Sequence, residues 1–146
     1  MNGEFIIAVH VLAYLANHLQ RNISSEELSR SACTNPARIR KVMSELRQAG
    51  LVETRSGSEG GYLLKVPQEK ITLLQVLHAV GAQVVKPGWR IDHPDKNCLI
   101  STGMGAVMDN LAASLDAACC QKLQQQTISD ISAQLFHRKG ESHATF

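Results

Sequence analysis

Between Asn35 and Gln48 the sequence carries Arg38, Arg40, Lys41 and Arg47 against a single acid, Glu45. Placed on a helix at about 100° per residue, Ile39, Val42, Met43 and Leu46 gather on one side. Ala37, Arg40, Lys41, Ser44 and Gln48 gather on the other, with Arg38 and Arg47 on the flanks. Such a helix can lock its apolar face to a domain and offer its opposite face to an anionic partner. Arginine and lysine donate to guanine O6 and N7 in the DNA major groove, while serine and glutamine read bases less selectively. Further along, Ser56-Gly57-Ser58-Glu59-Gly60-Gly61 forms a glycine-rich excursion flanked by Arg55 and Lys65. Its backbone and those two cations could hold phosphates, contacts that position a protein on DNA but carry little sequence information. The excursion lacks the Gly-Lys-Ser/Thr ending of a nucleotide-binding loop and opens no helix.

Other reactive groups are sparse. Cys98 lies beside Lys96, so a partly activated thiolate there could sense oxidants or nitric oxide; a packed or merely exposed thiol is the plainer reading. His93, Asp95 and Cys98 could join a partner-chain ligand around zinc, but four ligands in close geometry are needed and nothing in the spacing demands a metal. Cys119 and Cys120 point about 100° apart on a helix, which suits inert burial of at least one of them. Trp89 could cover an effector pocket, although a lone tryptophan more often packs on a core. His10, His18 and His78 sit in helical pattern without a carboxylate at paired spacing and read as structural. No nucleophile elbow or paired carboxylates emerge, so an enzyme is not expected.

The elements that position these groups follow from local signals. An apolar first helix spans residues 4–20, with Phe5, Val9, Leu12, Ala16 and Leu19 on one stripe. Ser24 and Glu27 have capping-box spacing and open a short second helix ending near Ala32. After Cys33-Thr34, Asn35 caps a third helix with Pro36 at its first position, and Gly50 follows its end. Strands at Leu51–Arg55 and Tyr62–Val66 flank the glycine excursion. Helix, short turn, helix and β-hairpin in that order spell a winged helix-turn-helix. Thr72 and Gln75 make a second capping box, with Ile71 and Val76 as a hydrophobic staple, and this helix ends near Gly81. Residues 82–100, with Pro87, Gly88 and Pro94, read as a loop. A long helix covers about Ser101–Gln125, where Met104, Met108, Leu111, Leu115 and Ala118 alternate by four and three like a coiled-coil seam. Thr127 caps a last helix bearing Ile128, Ile131 and Leu135, and the polar tail from Arg138 is expected to fray.

The fold class is therefore mainly α with a small β-hairpin wing. It divides into a winged helix-turn-helix over 1–81, a loop with a sensing role over 82–100, and a dimerisation helix plus C-terminal helix over 101–137. With 146 residues and 44% hydrophobic content, at a mean hydropathy of −0.11, there is material for a packed core. The net charge is only +2, and residues 86–146 balance six bases against six acids. Affinity for nucleic acid must then come from where charge sits rather than from its total. The four cysteines are too few and irregular for a disulfide framework, and no stretch spans a bilayer. A reduced, cytoplasmic protein is expected.

The run Ile39-Arg40-Lys41-Val42-Met43-Ser44-Glu45-Leu46-Arg47-Gln48-Ala49-Gly50-Leu51-Val52, followed by Gly60-Gly61-Tyr62-Leu63-Leu64, resembles the Rrf2 family of winged helix-turn-helix regulators. Phe5–Ala16, Ile71–Val80, Asn97-Cys98-Leu99 and Thr127-Ile128-Ser129-Asp130-Ile131 fit the same pattern. The resemblance implies a homodimer whose long helices cross, with two wings flanking a palindromic operator on duplex DNA. Carried onto this chain, it implies DNA contacts from Asn35, Pro36, Ala37, Arg38, Arg40 and Lys41, and from Arg55, Ser56, Gly57 and Gly60 in the wing. Ser44 is added from its place on the exposed face. Cluster-binding members carry three closely spaced cysteines before the long helix, whereas Val84–Thr102 offers Cys98 alone. An iron–sulfur cluster takes about four protein ligands, so no cofactor is expected and the chain resembles the clusterless branch. The leading expectation is a sequence-specific DNA-binding repressor. A thiol sensor gated through Cys98, and a winged-helix interaction module that docks proteins, are the alternatives.

Overall fold

The structure is a computed structural model that describes residues 2–86, 88 and 90–143. Trp89, the expected pocket cover, and Pro87 lie outside the described residues. The first helix, α1 (Gly3–Ala16), opens where the Asn2 side chain accepts the Phe5 N–H at 2.9 Å. It is buried around most of its girth, because α3, α4 and α6 all pack on it. It stops four residues short of the expected end. Asn17 competes for the ladder there, its Nδ2 donating to the Ala13 carbonyl at 2.7 Å. Leu19, expected on the core stripe, is consequently 66% exposed. His18 lies beyond the helix rather than in it, stacked on Tyr14 with ring centroids 4.1 Å apart.

Helix α2 (Ser25–Ser31) begins at Ser24, whose Oγ accepts the Glu27 N–H at 3.2 Å. The reciprocal half of the expected capping box is not made. The Glu27 carboxylate instead accepts from Tyr14 Oη at 2.7 Å and from Arg21 Nη1 and Nη2 at 2.8 and 2.6 Å. The chain turns through Cys33 at φ 51° into α3 (Pro36–Gln48). Asn35 Oδ1 accepts the Arg38 N–H at 2.8 Å and Pro36 sits in the first turn, as its missing donor allows. Gly50, at φ 76°, provides the left-handed exit.

Strands β1 (Val52–Arg55) and β2 (Gly61–Leu64) pair antiparallel, with Val52 opposite Leu64 and Arg55 opposite Gly61. A 3-10 turn at Gln68–Lys70 leads to α4 (Leu73–Ala79), which has the full capping box: Thr72 Oγ1 accepts from Gln75 N and Gln75 Oε1 accepts from Thr72 N. Ile71 and Val76, the staple pair, are fully buried.

Helix α5 (Leu99–Gln124) starts two residues earlier than the sequence suggests, because Cys98 itself is the N-cap. Over its 26 residues none is buried within the single chain. Helix α6 (Ile128–His143) opens where Thr127 Oγ1 accepts the Asp130 N–H at 3.2 Å. It continues through Arg138, where fraying was expected. Bonds from Leu73 N to Gln126 O (2.8 Å) and from Ile128 N to Ile71 O (2.9 Å) stitch its start to that of α4. Ile128 joins the same core as Leu12, Leu15, Ile39, Met43, Leu46 and Leu77, so α6 shares the core of the N-terminal elements.

Candidate nucleic-acid interface

The recognition face is built by locking α3 on its apolar side. Ile39, Val42, Met43 and Leu46 are each 0% exposed, and burial of such side chains contributes about 1.5–3 kcal/mol apiece. With that face fixed, Ala37, Arg40, Lys41 and Gln48 are exposed on the other, and Ser44 is half-buried beside them. Arg40 makes no hydrogen bond or ion pair among the described residues. Lys41 reaches Glu45 one turn on at 3.9 Å, an exposed i,i+4 contact worth a few tenths of a kcal/mol. Both cations are therefore available to an incoming phosphate or base edge.

Arg38 differs from them. Its Nε and Nη2 both lie 3.1 Å from Oε1 of Glu4, in the first turn of α1. The Glu4 carboxyl is held below its ordinary range, first by a backbone N–H and then by the Arg38 guanidinium. Arg47 is also engaged, its Nη1 donating to Thr54 Oγ1 at 3.3 Å and so tying the end of α3 to β1. Sequence reasoning placed Arg38 on the flank of the face but missed Glu4 altogether, because the two stand 34 residues apart with no pattern linking them.

The wing is held from below. Asn22 Nδ2 donates to the Glu59 carbonyl at 3.0 Å, and Gly60 N donates to Gly57 O at 3.0 Å across the tip. A side chain at Gly60 would overlap the Arg55 carbonyl, so the turn itself demands glycine there. Arg55, Ser56 and Gly57 are exposed and Gly60 is half-buried. Arg55 shares its charge with Glu53 at 3.4 Å, and Glu59 stands at the tip. Glu53 and Glu59 thus offset Arg55 and the exposed Lys65, so the hairpin carries no net charge, and the excess positive charge is that of α3.

The segment before α5 is tethered along that helix. Val85 N donates to Asp116 Oδ1 at 3.1 Å, and the Arg90 guanidinium pairs with both carboxylate oxygens of Asp109 at 3.1 and 3.2 Å. Cys98 Sγ accepts the Ser101 N–H at 3.5 Å as the helix cap. His93, Asp95 and Cys98 form no metal-holding cluster; among the described residues no group of three or more His, Cys, Asp or Glu does. Cys119 and Cys120 are half-buried rather than sealed in a core, and desolvation, then Asp116, pushes the Cys120 thiol up. Along α5, Met104, Met108, Leu111 and Leu115 are 41–49% exposed and Ala118 is exposed too, leaving the seam without a partner in one chain. No helix among the described residues is long and apolar enough to cross a membrane.

A recognition helix locked on its apolar side, a short preceding helix and a glycine wing define a winged helix-turn-helix protein. The chain belongs to the Rrf2 family, described as iron-dependent transcriptional regulator, whose model matches residues 1–134. It is similar to YwnA of Bacillus subtilis (strain 168), named as an HTH-type transcriptional regulator. The two are 27% identical over 136 residues, spanning 93% of this chain and 99% of the relative. Among solved structures, a transcriptional regulator from Lactobacillus plantarum aligns with a TM-score of 0.77, with 23% identity and 99% of each chain covered. CymR, the global cysteine regulator of B. subtilis, aligns at 0.68 with 18% identity, over 92% of this chain and 96% of its own. Those two likenesses carry the fold. The chain is a DNA-binding transcriptional regulator of this family and not an enzyme.

The iron in the family description meets a poor donor set. Cys98 is the one cysteine between α4 and α5, and Cys119 lies about 30 Å away along α5 at 1.5 Å per residue. The residues of one protomer do not fit a cluster held by several loop cysteines.

Proposed function

We propose that the protein is a repressor that binds a palindromic operator as a homodimer, with α3 in the major groove. The observation that carries this reading is the division of α3: four core side chains with no exposure behind Arg40 and Lys41, neither of them strongly paired. Asn35, Pro36, Ala37 and Ser44 line the same approach, with Arg38 at its edge. Arg55, Ser56, Gly57 and Gly60 of the wing meet the flanking backbone. The exposed seam of α5 supplies the dimer contact, since apolar side chains at alternating spacings of four and three interlock when two helices cross. Two recognition helices would then sit about 34 Å apart, one turn of duplex, and a dimer seated there represses by occluding the promoter. No iron–sulfur cluster takes part in this reading, for want of loop cysteines.

A second reading concerns the signal. Cys98 caps α5 and is half-buried. Oxidation of its thiol by a peroxide to the sulfenic acid, with release of water or an alcohol, would put a larger polar group at the cap. That would displace the 3.5 Å contact from Ser101 N–H and loosen the start of the seam helix. Cys98→Ser keeps a capping oxygen and removes the redox chemistry. Loss of an oxidant response in that variant supports the reading, and an intact response sinks it.

The operator reading is tested by selecting tight binders from random duplexes at moderate salt. Enrichment of a palindrome with half-site centres about 10 base pairs apart, or a multiple of that, is the expected result. A folded protein that enriches no palindrome would contradict the reading of a dimer on a palindromic operator.

A further inference from the structure

Arg38 is held at both ends. Its backbone N–H is fixed by the Asn35 cap at 2.8 Å, and one edge of its guanidinium is fixed by Glu4 Oε1 at 3.1 Å from both Nε and Nη2. The seat beneath that guanidinium is Gly3. A methyl there would overlap Nη2 and stand 3.5 Å from Cζ, so the absence of a side chain at Gly3 makes the room that Arg38 occupies. The first turn of α1 is itself set by its Asn2 cap. Two capped helix starts therefore face each other, and one supplies both the floor and the acid for the cation of the other.

This arrangement differs from that of Arg40 and Lys41 on the same helix. A long cation free to sweep many rotamers finds phosphates of any sequence. One clamped in a single orientation can favour one base step, because its ordering is done before DNA arrives. Glu4 also places a negative charge beside the interface, which weakens the phosphate attraction common to all sequences.

We propose that Gly3 and Glu4 are positioning residues for DNA recognition, orienting Arg38 so that sequence discrimination at α3 depends on the first turn of α1. The inference rests on the reading of α3 as the DNA-contacting helix.

The test measures affinity for the selected operator and for a scrambled duplex, at two salt concentrations. The proteins compared are the wild type, Glu4→Gln, Gly3→Ala, Arg38→Ala and the Glu4→Gln/Arg38→Ala double variant. Glu4→Gln is expected to lower the operator-to-scrambled ratio about tenfold, the scale of one mismatched base pair, while affinity for the scrambled duplex holds or rises. Gly3→Ala, which changes no charge and favours the helix, is expected to lower the ratio as well. In the Arg38→Ala background, Glu4→Gln should change the ratio no further. An unchanged ratio in Glu4→Gln, or an equal loss with and without Arg38, overturns the inference, even if the melting temperature falls as for a merely structural ion pair. If no operator is enriched at all, the operator reading of α3 and this inference fall together. If an operator binds wild type and the ratio ignores Glu4, this inference alone falls.

Discussion

Ile23 and Tyr62 exchange backbone hydrogen bonds, Ile23 N to Tyr62 O at 3.0 Å and Tyr62 N to Ile23 O at 2.8 Å. This isolated antiparallel bridge, two residues ahead of α2, fastens the hairpin to the helix-turn-helix. It requires glycine at 61, which sits at φ 151° with room for a Cβ only 2.5 Å from the Ile23 carbonyl oxygen. Gly61→Ala is expected to destabilise the fold by about 1–3 kcal/mol, the cost of a strained backbone site. Urea denaturation measures it; a loss within 0.5 kcal/mol, roughly the surface-substitution range, would mean that the bridge yields without strain.

The Tyr14–Glu27–Arg21 group sets an acid limit on stability. The Arg21 and Tyr14 hydrogen bonds lower the Glu27 pKa from 4.5 to about 2. A carboxyl depressed in the folded state stabilises the fold above its unfolded pKa, and that stabilisation is lost as pH falls through the folded value. Glu27 therefore contributes at pH 6 and loses its contribution between pH 4.5 and about 2. Arg21 is largely exposed, so the effect is about 1 kcal/mol or less. Glu27→Gln should lower the melting temperature at pH 6 and flatten its fall across that window. A parallel downward shift at every pH would contradict this assignment.

Asn35 anchors the start of the recognition helix. Asn35→Ala is expected to cost about 1 kcal/mol, the usual value of a helix cap, read by chemical denaturation. Asn35→Asp keeps the acceptor and should retain most of that stability, but it adds a negative charge where DNA approaches. Operator binding should consequently fall further in Asn35→Asp than its stability does.

The exposed α5 seam has a direct readout in mass. Leu111→Asp and Leu115→Asp change side chains that are 49% exposed in the single chain, so the protomer should fold normally. Sedimentation equilibrium is expected to show monomers for the pair of changes and dimers for the wild type. Dimers that persist in the double variant would place the association surface elsewhere.

What could be read in the sequence was what is local. Asn35 with Pro36, Thr72 with Gln75, and the four apolar positions of α3 each signal within one or two turns of helix, and the structure forms all of them. The misreadings share one physical source, side chains that compete with the backbone or the cap for a hydrogen-bond partner. Leu19 continued the apolar period of α1, but the Asn17 amide takes a carbonyl of the ladder and ends the helix. Glu27 had capping-box spacing, yet Tyr14 and Arg21 offer its carboxylate stronger charge-assisted partners than a backbone N–H. Arg38 with Glu4, and Ile23 with Tyr62, meet only once the chain has folded, and no periodicity joins them. The candidate interface was thus legible as a helix face and a glycine wing. The ion pairs of Arg38 with Glu4 and of Arg55 with Glu53, which leave Arg40 and Lys41 of α3 and Lys65 of the hairpin as the more available cations, were not.

The measurement that bears most directly on the central claim is a gel shift of the selected operator with the Arg40→Ala/Lys41→Ala variant beside the wild type. Both side chains are exposed, so the fold and the dimer should be unaffected. The expected result is a loss of operator affinity of at least tenfold, with a shallower salt dependence, by roughly one unit of slope for each phosphate contact removed. Equal affinity and an equal salt slope in the two proteins would contradict the assignment of α3 as the DNA-reading helix.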